Sequence, residues 1–89
     1  MRPLLKRKKQ YEVVEMDKEW MVLDLEAYTI TTLNEVGSFC WSILHEDKSL
    51  EDMVEMVAEE YRMEPRDVEH DVTLFINKMK HVGLIEHVS

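Results

Sequence analysis

The chain has 89 residues, enough for one small domain. Its 45% apolar content, formal charge of −8 and single cysteine exclude three classes: a disordered chain, a general nucleic-acid binder with a basic face, and a disulfide-stapled secreted scaffold. No apolar run approaches the roughly 20 residues of a membrane span. The opening "MRPLLKRKK" lacks the apolar core of a signal peptide, so a cytoplasmic protein is expected.

Arg2, Lys6, Arg7, Lys8 and Lys9 cluster at the N-terminus. Residues 1–9 read as a solvated basic tail and residues 10–89 as the folded domain. Gln10 to Met16 is the first strand, followed by the polar turn "DKE". Trp20 to Leu25 ("WMVLDL") is the most apolar strand and the choice for the sheet centre. A bend near Asp24 to Ala27, without Gly or Pro, leads to a third strand over Ala27 to Leu33. One continuous bent strand from Trp20 to Leu33 is the alternative.

Three helices follow. Asn34 caps the first, which carries Val36, Phe39, Cys40, Ile43 and Leu44 on one face. Ser49 caps the second, with Asp52 three positions on and a stripe of Leu50, Met53, Val54, Val57, Ala58 and Tyr61. Pro65 suits the first turn of the third, whose core face is Val68, Val72, Phe75, Ile76, Met79 and Val82. Gly83 closes it, and "LIEHV" returns apolar residues to the core. The pattern is α+β: a three-stranded antiparallel sheet followed by three helices.

The chemistry of an enzyme is missing. No two histidines stand at i, i+4, and His70 and His81 are about 16 Å apart along their helix. Cys40 lies on an apolar stripe, where it reads as a small buried hydrophobe. Two glycines cannot make a phosphate-cradling loop. Neither catalytic residues, a metal nor a cofactor is expected.

Attention falls on "AYTITTL". The first strand guards its edge with Glu12 and Glu15, whereas this one has no Lys, Pro or bulge. Either an incoming peptide pairs with it, or a helix or second subunit covers it. On the helical wheel Asp67, Asp71, Leu74 and Lys78 flank the core arc of the third helix, at about 100° per residue. If that flank faces the bare strand, the two form a groove with an apolar floor and charged rims.

Taken in order, "VLDLEAYTITTLNEVGSFCWSIL", "SLEDMVEMVAEEY" and "DVEHDVTLFINKMKHVGLIE" resemble the PqqD family. Its members are small domains also called RiPP recognition elements, after ribosomally made, post-translationally modified peptides. The resemblance spans Tyr11 to Glu86. Its most specific parts are Leu33-Asn34 with Gly37 and Trp41, and the ending Asp71-Val72, Phe75 and Gly83-Leu84-Ile85. It implies a winged-helix-like domain without catalytic activity. Such a domain binds the leader of a precursor peptide as an added antiparallel strand and presents it to a modifying enzyme. It also implies that Ala27, Tyr28, Thr29, Ile30, Thr31 and Thr32 pair with the leader. Leu74, Phe75 and Lys78 then form the pocket, and Asp71 offers a polar contact. Asn34, Gly37 and Trp41 look structural. The partner enzyme would be a leader peptidase, as in lasso-peptide synthesis, or a radical-SAM enzyme, as in pyrroloquinoline quinone synthesis; an unfused domain favours the lasso case. The rival is a winged-helix DNA binder, but its recognition helix would set Asp67, Glu69 and Asp71 among Arg66, Lys78 and Lys80.

Overall fold

The computed structural model describes residues 3–8 and 10–88. Its elements run β1 (Leu4–Arg7), β2 (Tyr11–Glu15), β3 (Trp20–Asp24), β4 (Thr29–Leu33), α1 (Glu35–Ile43), β5 (Lys48–Ser49), α2 (Leu50–Tyr61), α3 (Pro65–His81) and β6 (Ile85–His87). Strands β2, β3 and β4 form the expected antiparallel meander with β3 in the middle. Alternation along β3 buries Val22 and Asp24 beneath the sheet, while Met21 and Leu23 are half-buried on the outer face. The fold class is α+β.

Local chemistry sets each helix. Asn34 Oδ1 accepts the N–H of Gly37 at 2.8 Å and opens α1. Ser49 Oγ accepts the N–H of Asp52 at 3.1 Å and opens α2. Pro65 begins α3. At the far end Gly83 takes φ +82°, its N–H donates to Lys80 O at 3.1 Å, and that of Leu84 donates to Met79 O at 2.9 Å. This pair of bonds is the Schellman closure that a glycine permits. Met53, Val54, Val57 and Ala58 of α2 and Val68, Val72, Phe75, Ile76 and Met79 of α3 are buried in one core. Full burial of such a side chain stabilises by about 1.5–3 kcal/mol.

Two expectations need correction, and two are extended. Residues 4–7 are not a solvated end: β1 lies between β5 and β6 in a second small sheet and buries Leu5. Arg2 and Lys9 of the basic cluster lie outside the described residues. In the same sheet "LIEHV" returns Leu84 and Ile85 to the core as expected, and it also supplies a strand, β6. The buried surface of α1 extends beyond its apolar stripe to Trp41, which packs as the structural role expected of it requires. Tyr11 meets the Trp41 ring edge-on at 5.0 Å, and the Arg7 guanidinium stands 5.5 Å from its centroid.

The last correction bears on the site. β4 starts at Thr29, and Ala27 and Tyr28 belong to the turn before it. Asp24 Oδ1 accepts the N–H groups of Glu26 and Ala27 at 2.9 and 3.1 Å, and Tyr28 N–H donates to Asp24 O at 2.9 Å. Tyr28 has φ 56°, so the chain reverses sharply here, and a continuous bent strand is ruled out.

Candidate peptide-binding edge and groove

β4 is an edge strand: among the described residues its partner is β3 alone. Which of its amides face outward follows from strand alternation. On the β2 side, Met16 N–H donates to Glu19 O and Leu25 N–H to Gln10 O, so odd-numbered β3 positions address β2. Trp20, Val22 and Asp24 therefore address their β4 partners Leu33, Thr31 and Thr29. The main-chain groups of Ile30 and Thr32 are left on the open side. Lys78 Nζ donates to Thr32 O at 3.3 Å from that side, in agreement.

The side chains sort the same way. Thr31 is 6% exposed and Leu33 is buried beneath the sheet, whereas Ile30 is 66% exposed. Of the six predicted strand contacts, Ile30 and Thr32 face the open side, where the Thr32 carbonyl already accepts from Lys78, and Thr29 and Thr31 face β3. Ala27 and Tyr28 spend their N–H groups within the turn.

Beside the C-terminal end of β4 lies a groove of about 420 Å³. It brings together Thr32, Asp71, Leu74, Phe75 and Lys78, five of the residues predicted for the site. Leu74 is 54% exposed on the flank of α3, and Phe75 is 8% exposed, so Phe75 forms the floor from within the core. Its charged lining is Lys78 and the carboxylates of Asp71 and Glu19. Burial pushes the Cys40 thiol of α1 up to about 12, which leaves it protonated.

Sequence reasoning missed Glu19, Asn34 and Val36 as wall residues and treated Gly37 as structural. A Cβ at Gly37 would stand 3.1 Å from Asn34 Oδ1 and 3.3 Å from Phe75 Cδ1. The glycine thus lets α1 approach α3 at the groove. The signal for Glu19 was in the pairing, since Trp20 opposite Leu33 places Glu19 beside the start of α1.

The model of the family Coenzyme PQQ synthesis protein D (PqqD) matches residues 19–85. The chain belongs to the PqqD family. That match spans β3, β4 and all three helices, and so both walls of the groove of this PqqD-family domain. Two solved structures are similar to it. One is described as TbiB1 in complex with the TbiA(beta) leader peptide: 30% identity, TM-score 0.80, covering 94% of this chain and 98% of that one. The other is lasso peptide synthetase B1 complexed with the leader peptide: 21% identity, TM-score 0.75, covering 92% and 96%. The second likeness is one of fold. No curated protein sequence matches the chain.

Proposed function

We propose that this PqqD-family domain binds the leader of a ribosomally made precursor peptide and presents it to a separate modifying enzyme, without catalysing a step itself. The observation that carries the reading is the open β4 edge beside the groove of Leu74, Phe75 and Lys78. An extended peptide adds main-chain hydrogen bonds at such an edge, and the neighbouring groove selects its side chains. The similarity to TbiB1, solved with a leader peptide, supports the same ligand class here. We further propose a lasso-peptide pathway, in which a leader peptidase is the enzyme served, in the cytoplasm where the precursor is made. The leader would bond to Ile30 and Thr32 from outside, with Leu74 covering one of its apolar side chains. Asp71 and Lys78 would meet polar ones.

The test is calorimetric titration with the synthetic TbiA(beta) leader peptide, the ligand of the similar TbiB1 structure. A dissociation constant in the micromolar to nanomolar range, about −8 to −12 kcal/mol, is expected. Tight binding of duplex DNA at moderate salt, with no binding of the leader, would refute the reading.

A further inference from the structure

We propose that Lys8 is a positioning residue for peptide binding: its ion pair with Asp24 fixes the turn from which the edge strand starts. The proposal rests on the peptide-binding reading above and adds a residue that lies outside the family-matched segment 19–85.

Asp24 ends β3 and is 2% exposed. Lys8 Nζ reaches its Oδ1 at 3.0 Å and its Oδ2 at 3.1 Å, and lies 3.8 Å from Glu26. The same Oδ1 accepts the N–H groups of Glu26 and Ala27. One enclosed carboxylate therefore holds two consecutive N–H groups of the chain reversal, and Lys8 supplies its balancing charge. A buried carboxylate that loses its cation is strongly disfavoured.

The turn needs such a clamp. Residues 24–28, "DLEAY", contain neither Gly nor Pro, yet Tyr28 is in the left-handed region, where a bulky side chain is disfavoured. The residue is 92% exposed, so side-chain packing does not hold that conformation. The Asp24–Thr29 pair is the first rung of the β3–β4 ladder. A one-residue slip there would exchange inward Thr31 for outward Ile30 along the whole edge.

Lys8 is itself tied to the other wall. Its N–H donates to Leu84 O at 2.8 Å, immediately past the closure of α3, and β1 pairs with β6. The main chain of Lys8 thus holds the end of α3 while its side chain holds the start of β4. A peptide lying between β4 and α3 meets two walls whose spacing this residue helps to define.

The experiment measures amide hydrogen exchange on the free protein and affinity for the synthetic leader, for Lys8→Met and Lys8→Arg. Lys8→Met should speed exchange at residues 26–29 about tenfold while interior amides of α2 and α3 stay unchanged. Its leader affinity should fall about three- to tenfold through lost pre-organisation. Lys8→Arg, which keeps the cation, should restore both. Should Lys8→Met fail to fold, Lys8→Gln carries the same comparison with a neutral donor in place of the cation. Unchanged exchange at the turn overturns the proposal, and so does a loosened turn with full affinity. A uniform rise in exchange across the helices would mark Lys8 as generally stabilising and also overturns it. A wild-type protein that binds no leader fails the underlying reading instead, a result visible without any variant.

Discussion

Gly37 of α1 and Phe75 of α3 meet so closely that a Cβ on the glycine would stand 3.3 Å from the phenyl ring. The Asn34 oxygen on its other side is committed to the helix cap. Gly37→Ala should gain up to about 1 kcal/mol of helix propensity. It should lose more by displacing the cap, worth about 1 kcal/mol, and by pushing on a packed ring. A net destabilisation of about 0.5–1.5 kcal/mol in urea unfolding is expected, together with weaker leader binding as Phe75 shifts into the groove. A more stable variant with full affinity would show that the ring gives way freely.

The edge strand yields a paired test. Proline removes an N–H, which matters at a different place in each of two neighbouring positions. Ile30 directs its N–H outward and Thr31 directs its own toward β3. Ile30→Pro should fold and lose leader affinity at least about tenfold, because the main-chain bond cannot form. Thr31→Pro should be destabilised by about 2–4 kcal/mol, losing a ladder bond and a buried side chain. Circular dichroism melts and leader titrations of both variants decide the matter. The reverse pattern would mean that the peptide pairs elsewhere.

On the α3 flank, Leu74 and Val72 should separate binding from folding. Val72 is fully buried, so Val72→Ala should cost about 2–3 kcal/mol of stability through a cavity. Leu74 is half exposed, so Leu74→Ala should cost less than about 1 kcal/mol in folding. The same change should weaken leader binding by about 1–2 kcal/mol, part of the value of a buried leucine. Denaturation midpoints and calorimetric affinities for both variants provide the check. Equal stability losses with unchanged affinity would place Leu74 in the ordinary core.

The clamp at the turn titrates at both ends of the pH scale. The Ala27 N–H and then Lys8 hold the Asp24 carboxyl below its usual 3.8. Its stabilisation is present above that value and is lost as pH falls through the lower folded one. The hydrogen bond to Asp24 holds Lys8 above its usual 10.5, so its contribution is complete below that pH and lost as pH rises through the raised value. The stability gap between wild type and Asp24→Asn should therefore be widest between about pH 4 and 10 and shrink outside that window. Unfolding curves at pH 2.5, 7 and 11 measure it. A gap that does not change with pH would show that the pair does not contribute through charge.

The meander, the helices and the α3 flank were legible because each repeats locally, with period 2 in the strands and 3.6 in the helices. Asn34, Ser49, Pro65 and Gly83 marked the helix boundaries for reasons internal to a few residues. β1 left no such trace. One leucine of it is buried, and its partners at residues 48–49 and 85–87 are far away in sequence. The contacts of Trp41 with Tyr11 and Arg7 were hidden for the same reason. The turn was misjudged at its end because Tyr28 is in a conformation usual for Gly, held by Asp24 and Lys8 from a distance. The wall contributed by Glu19, Asn34 and Val36 depended on strand register, which periodicity alone does not supply.

The most direct test of peptide addition at β4 is nuclear Overhauser contact between leader and protein amides in the complex. The account predicts cross-strand contacts from leader backbone protons to Ile30 and Thr32, with leader side-chain contacts to Leu74. Contacts confined to other surfaces, with the amides of β4 unmoved, would contradict it.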